Sequence, residues 1–219
     1  MAVEKGWTYV QWQGQFVSLR AILRTLPPDA DFGPSGTRAG HHVRLLHWER
    51  QADSMLHALA AGPDGAFVYQ SYFEPRALFV GWGHRMRGDR SAAHAAFDLA
   101  RELMDSVVRE RPEDAGVHAA RGLALAGLGN RDEALREACW LEQSALYRKD
   151  AWFGSNLALS RARILAQAGD AQEALAEIDW LLSRPSELSI HTLRLDPLFD
   201  PVRNYPGYMA LITKHSAIP

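Results

Sequence analysis

The segments Gly88-Asp-Arg-Ser-Ala-Ala93, Gly129-Asn-Arg-Asp-Glu-Ala134 and Gly169-Asp-Ala-Gln-Glu-Ala174 are three versions of one short pattern. Their glycines are 41 residues (129 − 88) and 40 residues (169 − 129) apart. A fixed period in this range, with a small residue five places after each glycine, is typical of a stacked array of helical hairpins. The sequence therefore predicts an all-α fold: an α-solenoid of about five helical hairpins with a short C-terminal capping helix.

Packing explains why the pattern repeats. Each glycine is expected to end one helix in the left-handed backbone conformation, and the following Asp or Asn is expected to start the next helix. Small residues stand seven places before and five places after each glycine, so the two helices of a hairpin can cross closely. These positions are Gly81, Gly122 and Ala162 before the glycines, and Ala93, Ala134 and Ala174 after them. Nine and twelve places after the glycines the apolar stripe continues, through Phe97, Ala100, Ala138, Leu141, Ile178 and Leu181.

This pattern resembles the tetratricopeptide repeat, whose small residues, turn glycine, aromatic and alanine fall here on Gly81, Gly88, Ala93, Phe97 and Ala100. The aromatic that usually stands near the start of the first helix is replaced by Ala77, His118 and Ala158. The ordinary repeat has about 34 residues. The additional residues must lengthen a helix or a connection, and we expect a lengthened second helix over residues 91–111, ended by Pro112.

The whole chain, residues 1–219, is predicted to form a single repeat domain. Three strong copies cover residues 74–112, 114–150 and 151–185, and two degraded copies cover residues 1–32, with a turn at Gly14, and 33–65, with a turn at His47. An aromatic cluster between the two groups is expected to pack at the start of the next hairpin; it comprises Phe67, Tyr69, Tyr72 and Phe73. Residues 186–219 are the predicted capping tail, in which two Asp-Pro pairs indicate tight turns or helix starts.

The tail also carries a resemblance. The run Leu188-Ser189, Leu193-Arg-Leu-Asp196-Pro197 and Asp200-Pro201, followed by an apolar last helix, is similar to the end of the repeat region in bacterial signalling proteins. Such proteins carry a serine/threonine kinase, a nucleotide cyclase or a winged-helix domain ahead of the repeats. The resemblance implies that these residues are the regulatory part of a larger protein, and a repeat that begins at the first residue agrees with that expectation. The motifs of those three effector domains do not occur in this sequence.

Composition excludes several classes of function. The formal net charge is −2, and the 24 Lys and Arg residues form no basic tract, so direct binding to nucleic acid or to a membrane surface is not expected. Cys139 is the only cysteine, so an internal disulfide is impossible. The sequence has no signal peptide and no apolar span of transmembrane length. We therefore expect a cytoplasmic protein.

Motifs for catalysis are missing. The sequence lacks a phosphate-binding loop, a dinucleotide-binding fingerprint, a zinc-protease motif and a C-x-x-C pair, so neither an enzyme nor a cofactor is predicted. Four histidines lie close together in the sequence: His41, His42, His47 and His57. Because thiol and acidic ligands at the spacing of a metal site are missing, no metal site is predicted. Cys139 beside Trp140 is interpreted as a small hydrophobe.

Recognition is the remaining function. Residues six, three and two places before each turn are expected to face a concave surface, and the family resemblance implies that this surface binds a peptide or a partner protein. Arg44 and Arg85 could capture carboxylates, and Trp12 and Trp82 could anchor apolar side chains, which favours a partner of acidic character. Two alternatives stay open: these residues could serve local ion pairs and the inter-repeat core, or the chain could be a homodimerisation module. The predicted groove residues are Thr8, Gln11, Trp12, His41, Arg44, Leu45, Trp82, Arg85, Met86, Leu123, Arg163 and Gln167.

Overall fold

A computed structural model describes residues 2–62, 65–69 and 72–216 of the chain. The fold is mainly α-helical, with one two-stranded sheet among the described residues. The α-helices are α1 Ala2–Gln13, α2 Val17–Thr25, α3 Arg38–Trp48, α4 Ala52–Ala61, α5 Arg76–Met86, α6 Arg90–Glu110, α7 Ala115–Leu128, α8 Arg131–Gln143, α9 Ala145–Lys149, α10 Ala151–Gln167, α11 Ala171–Leu182, α12 Ile190–Leu195 and α13 Pro206–Ser216. Short 3-10 helices occupy Gly33–Ser35 and Pro197–Val202, and the strands are β1 Ala66–Tyr69 and β2 Tyr72–Pro75.

The three turn glycines have the predicted backbone conformation. Gly88, Gly129 and Gly169 have φ angles of 77°, 82° and 80°, the left-handed region in which a Cβ is costly. The side chain of Asp89 accepts a hydrogen bond from the backbone N–H of Ala92, so it caps α6 as expected. The lengthened second helix is also confirmed, because α6 has 21 residues.

The small residues bring helices into close contact. A Cβ added to Gly81 would lie 2.5 Å from the ring of Phe97. A Cβ added to Gly127 would lie 2.6 Å from the same ring, at its Cδ1 and Cγ atoms. Phe97 has no exposed surface. The two glycines therefore make room for one large core side chain, which explains why small residues recur at the helix crossings.

The predicted turn of the second hairpin is wrong by three residues. Helix α3 continues through His47 to Trp48, and the left-handed residue of the turn is Arg50, with φ 58°. Arg50 thus occupies the place that glycine holds in the strong copies. Counted six, three and two places back from Arg50, the groove positions of this hairpin become Arg44, His47 and Trp48.

The aromatic cluster forms a β-hairpin, which the all-α prediction missed. Strands β1 and β2 pair antiparallel, with Tyr69 opposite Tyr72 and Phe67 opposite Glu74. Alternation along the strands places cross-strand partners on the same face of the sheet. Strand β2 packs against α7, so the hairpin covers part of the predicted concave surface.

Buried ion pairs recur at equivalent places in two copies. Arg121 pairs with Glu137, and Arg161 pairs with Glu177. Each arginine stands eight residues before a turn glycine, and each glutamate stands eight residues after it. Both glutamates are buried. Because a buried charge needs a partner, these pairs fix the register of the two hairpins.

Consecutive helices pack in sequence order: α2 against α3, α4 against α5, α6 against α7, and both α7 and α8 against α10. The C-terminal segment then returns along the molecule. Helix α13 packs on α11, the 3-10 helix Pro197–Val202 packs on α10 and α11, and α12 packs on α1. Ser189 Oγ donates a hydrogen bond to the carbonyl oxygen of Gln11, and Arg50 forms a bidentate ion pair with Asp200. The tail therefore connects the last helices with the first ones.

Within the described residues, no helix is both long enough and apolar enough to cross a membrane.

Candidate binding surfaces

Three cavities lie where the tail meets the first helices of the hairpins, and neighbouring cavities share lining residues. The open groove, about 1010 Å³, lies between α1 and the helices α10 and α11; the inner chamber, about 60 Å³, lies beneath the tail; the end pocket, about 410 Å³, lies beside the 3-10 helix Pro197–Val202. Trp7, Gln11, Tyr69 and Glu187 line both the open groove and the chamber. His47, Trp82 and Leu198 line both the chamber and the end pocket.

The inner chamber contains buried ion pairs. Arg44 Nη2 donates to Glu74 Oε2 at 2.7 Å, and Nε of Arg163 donates to Asp196 Oδ2 at 2.8 Å. Asp196 also accepts a hydrogen bond from the N–H of Leu198, so the same carboxylate caps the 3-10 helix and neutralises a buried guanidinium. The local Asp-Pro signal predicted the cap but not the ion pair.

Glu187 is the third carboxyl group of the chamber. It accepts a hydrogen bond from the hydroxyl of Tyr72 at 3.2 Å. Burial raises the pKa of Glu187, although the positive charges of Arg44 and Arg163 oppose the shift. The chamber holds only a few water-sized molecules, well below the size of an ordinary ligand site. Its polar side chains therefore have a structural role, because they pair with one another beneath the tail.

The open groove exposes aromatic side chains from α1 and α11. Trp12 is 75% exposed on α1, and Trp180 is 37% exposed on α11. The guanidinium of Arg184 lies over the Trp180 ring, with Cζ 3.3 Å from the ring centroid. Three carboxylates line the groove, those of Glu4, Asp150 and Glu187. Large exposed aromatics in a concave surface are typical of a protein-recognition site.

The end pocket has an aromatic wall and cationic side chains. The imidazole of His47 stacks on the indole of Trp82, with centroids 4.9 Å apart and planes 14° apart. Arg50 and Arg85 lie at the pocket together with Asp200, and the apolar lining includes Met86 and the tail prolines. The arrangement suits a small ligand with a flat apolar body and a negative charge.

The structure divides the predicted groove residues among these cavities. Thr8, Gln11 and Trp12 line the open groove, and Trp82, Arg85, Met86 and Gln167 line the end pocket. Arg44 and Arg163 line the inner chamber, where each pairs with a carboxylate of the chain. The predicted single groove is therefore interrupted by the tail.

Four predicted groove residues are buried. Trp82 is 4% exposed and belongs to the core, although its ring also lines the end pocket. The assignment of the other three, His41, Leu45 and Leu123, to the groove surface is corrected. His41 and Leu45 are 3% and 2% exposed, because the turn of their hairpin lies three residues later than predicted. The indole Nε1–H of Trp7 donates a hydrogen bond to His41 Nδ1, and His41 Nε2 donates one to the carbonyl oxygen of Ser35. Leu123, 6% exposed, belongs to the core and lies on α7, against which β2 packs.

Several residues that line these cavities were not predicted from the sequence. Tyr72 and Glu74 alternate along β2, a period-two signal that could have indicated a strand facing the chamber. Trp180 and Asn156 lie outside the three positions assigned to the groove, yet both line it. Glu187 gave no signal, because its partner Tyr72 is 115 residues away in the sequence.

Two buried histidines predict a loss of stability in mild acid. Burial lowers the pKa of His41 and of His47 to about 4, and Arg44 adds to the shift at His41. Both rings are neutral in the folded chain, whereas an unfolded histidine binds a proton below about pH 6.5. The unfolded state therefore binds more protons between about pH 6.5 and 4, so stability falls with pH by about 1.4 kcal/mol per unit and per histidine.

Urea unfolding at a series of pH values measures this effect. His47→Phe keeps a ring against Trp82 and cannot titrate, so we expect a shallower loss of stability on acidification than in the unchanged chain. An identical pH dependence in the two proteins would show that His47 is not held neutral by burial.

Among the described residues, no group of three or more His, Cys, Asp or Glu side chains is arranged to hold a metal ion. Comparisons with family models, with curated proteins and with solved structures give no match for this chain.

Proposed function

We propose that the chain is a protein-interaction module built from tetratricopeptide-like hairpins, and that it binds a peptide segment of a partner in the open groove. Five helix pairs support the repeat interpretation, namely α1 with α2, α3 with α4, α5 with α6, α7 with α8, and α10 with α11. The observation that carries the functional proposal is the groove itself. Its volume, about 1010 Å³, accommodates several side chains, and two tryptophans stand exposed along it.

The form of the groove favours an extended peptide. It is open along α1 and is bounded on the other side by α10, α11 and residues 184–187. Trp12 and Trp180 offer apolar anchors on the two sides of the groove, which an extended peptide could span.

The charges of the groove favour a basic side chain on the partner. Four charged side chains of the described residues line the groove, of which those of Glu4, Asp150 and Glu187 are acidic and that of Arg184 is basic. Glu4 and Asp150 also have partners within the chain, the hydroxyl of Ser35 and the N–H of Phe153. Neither arginine that suggested an acidic partner serves the open groove: Arg44 pairs with Glu74, and Arg85 lines the end pocket instead. We therefore propose a peptide that carries an aromatic or aliphatic anchor and a Lys or Arg.

Selection from a random peptide library displayed on phage, with the full chain as bait, tests the proposal. We expect enriched sequences that combine an apolar anchor with Lys or Arg. Trp12→Ala should weaken their binding about tenfold or more, because a central tryptophan commonly contributes above 1 kcal/mol.

Met209→Ala is the matched control, since Met209 is 61% exposed on α13 and does not line the groove. Its affinity for the selected peptides should equal that of the unchanged chain. A library that yields no saturable binder, or binders that tolerate Trp12→Ala as well as Met209→Ala, would contradict the proposal.

The tail resemblance extends the proposal to the biological setting: the module would be the regulatory part of a larger bacterial signalling protein in the cytoplasm. Homodimerisation is the second candidate. Leu99 and Leu103 favour it, because they stand one turn apart on α6 and are 52% and 45% exposed.

A further inference from the structure

Within the described residues, one guanidinium of the end pocket has no acidic partner. Arg85 Nη1 donates to Gln167 Oε1 at 2.7 Å, and Nη2 donates to the carbonyl oxygen of Gly127 at 2.8 Å. Its Cζ lies 4.6 Å from the centroid of Phe97. No carboxylate of the described residues lies within ion-pair distance of this side chain. These contacts hold the guanidinium in place and leave its charge uncompensated.

The charge of the second arginine in the pocket, Arg50, is neutralised by a carboxylate. Arg50 forms a bidentate ion pair with Asp200, with N···O distances of 2.6 and 2.8 Å. The lining of the end pocket includes Arg50, Arg85 and Asp200 as its charged residues. Their sum is one positive charge, so the pocket favours an anion with a single negative charge.

His47 and Trp82 form the aromatic wall of the end pocket. Their rings are stacked, with centroids 4.9 Å apart, and both residues line the cavity. Burial keeps the imidazole neutral by lowering its pKa to about 4. The wall therefore presents a flat, uncharged surface in the same pocket as the guanidinium of Arg85.

Size and shape limit the ligand. The volume of about 410 Å³ falls in the range of small-molecule sites, about 300–1,000 Å³, and is well under half that of the open groove. The apolar walls come from Trp82, Met86, Pro197, Leu198 and Pro201. An indole and two proline rings present flat surfaces, which suit the face of an aromatic ring.

We propose that the end pocket is a binding site for a small aromatic carboxylate. The carboxylate would pair with the fixed guanidinium of Arg85, and the ring would pack among Trp82, Met86 and the tail prolines. The site is distinct from the peptide groove, and the failure of either proposal leaves the other intact.

Benzoate is the probe, titrated into the full chain and followed by the indole N–H resonances in ¹H–¹⁵N spectra, with Trp82→Phe assigning the signal of Trp82. We expect a saturable shift of that signal. Benzamide, which has no charge, and acetate, which has no ring, should each bind about tenfold more weakly than benzoate, since each loses one of the two interactions.

Arg85→Gln should weaken benzoate binding about tenfold, and Arg85→Lys should retain part of the affinity because it keeps the charge. Arg87→Gln is the matched control: Arg87 is exposed, pairs with Asp53, and does not line the pocket. Near-ultraviolet circular dichroism checks that each variant is folded, and the comparison of the three probes on the unchanged chain needs no variant. The proposal is overturned if benzoate gives no saturable shift, if benzamide or acetate binds as tightly as benzoate, or if Arg85→Gln binds like Arg87→Gln.

Discussion

Asp196→Asn is expected to lower the free energy of unfolding by about 3–5 kcal/mol. The substitution keeps an oxygen that can cap the 3-10 helix at Leu198, but it removes the charge that neutralises Arg163. The side chains of Arg163 and Asp196 are 12% and 1% exposed, so the remaining guanidinium would be buried without its ion-pair partner. The midpoint and slope of urea unfolding measure the loss.

Asp200→Asn is the matched control in the same segment. Asp200 also pairs with an arginine, Arg50, but both side chains are 43% exposed. An exposed ion pair contributes about 0–1 kcal/mol, so this variant should unfold close to the unchanged chain. Equal losses in the two variants would mean that the tail is not anchored through a buried charge. The double variant Arg163→Met with Asp196→Leu should recover much of the stability, since an apolar pair removes both buried charges.

Gly81→Ala is expected to destabilise the protein by about 1–3 kcal/mol, although alanine has the higher helix propensity by about 1 kcal/mol. The new Cβ would lie 2.5 Å from the ring of Phe97, a distance that atoms in a packed core do not tolerate. Phe97 cannot move aside freely, because it is fully buried and Gly127 also lies against it. The ring or the helix must shift. The thermal midpoint, combined with urea unfolding, measures the cost.

Gly207→Ala is the comparison, because its added Cβ would meet only the end of the Leu175 side chain, at 3.0 Å. Gly207 is exposed on α13, so the substitution should be neutral or slightly stabilising. The double variant Gly81→Ala with Phe97→Leu should recover part of the packing strain. A Gly81→Ala protein as stable as Gly207→Ala would contradict the close helix crossing on which the fold depends.

Local signals in the sequence were sufficient for the strong hairpins. The conformations of Gly88, Gly129 and Gly169 depend on a few neighbouring residues, and so does the cap at Asp89. The degraded second copy was harder, because Arg50 adopts the left-handed conformation without being glycine. The spacing of small and apolar residues is compatible with a turn at His47. A turn at His47 wrongly places His41 and Leu45 on the predicted groove surface.

The cavities could not be derived in the same way, because they depend on contacts between distant segments. Asp196 has a local role as a cap, which its Asp-Pro sequence indicates, and a tertiary role towards Arg163, 33 residues away. Arg50 and Asp200 are 150 residues apart. No periodicity relates such pairs. The predicted positions nevertheless included Trp12, Trp82 and Arg85, since the helix face is local even when the segment that covers it is not.

The most direct test of the peptide groove is the position of a bound peptide on the chain. A peptide from the library selection, carrying a photoreactive group at its apolar anchor, is cross-linked to the full chain, and the attachment sites are identified by mass spectrometry. We expect cross-links both to α1 around Trp12 and to the segment from Trp180 to Glu187, because both sides of the groove contact the ligand. Cross-links confined to the end pocket, or to the exposed face of α6 around Leu99 and Leu103, would contradict peptide binding in the open groove.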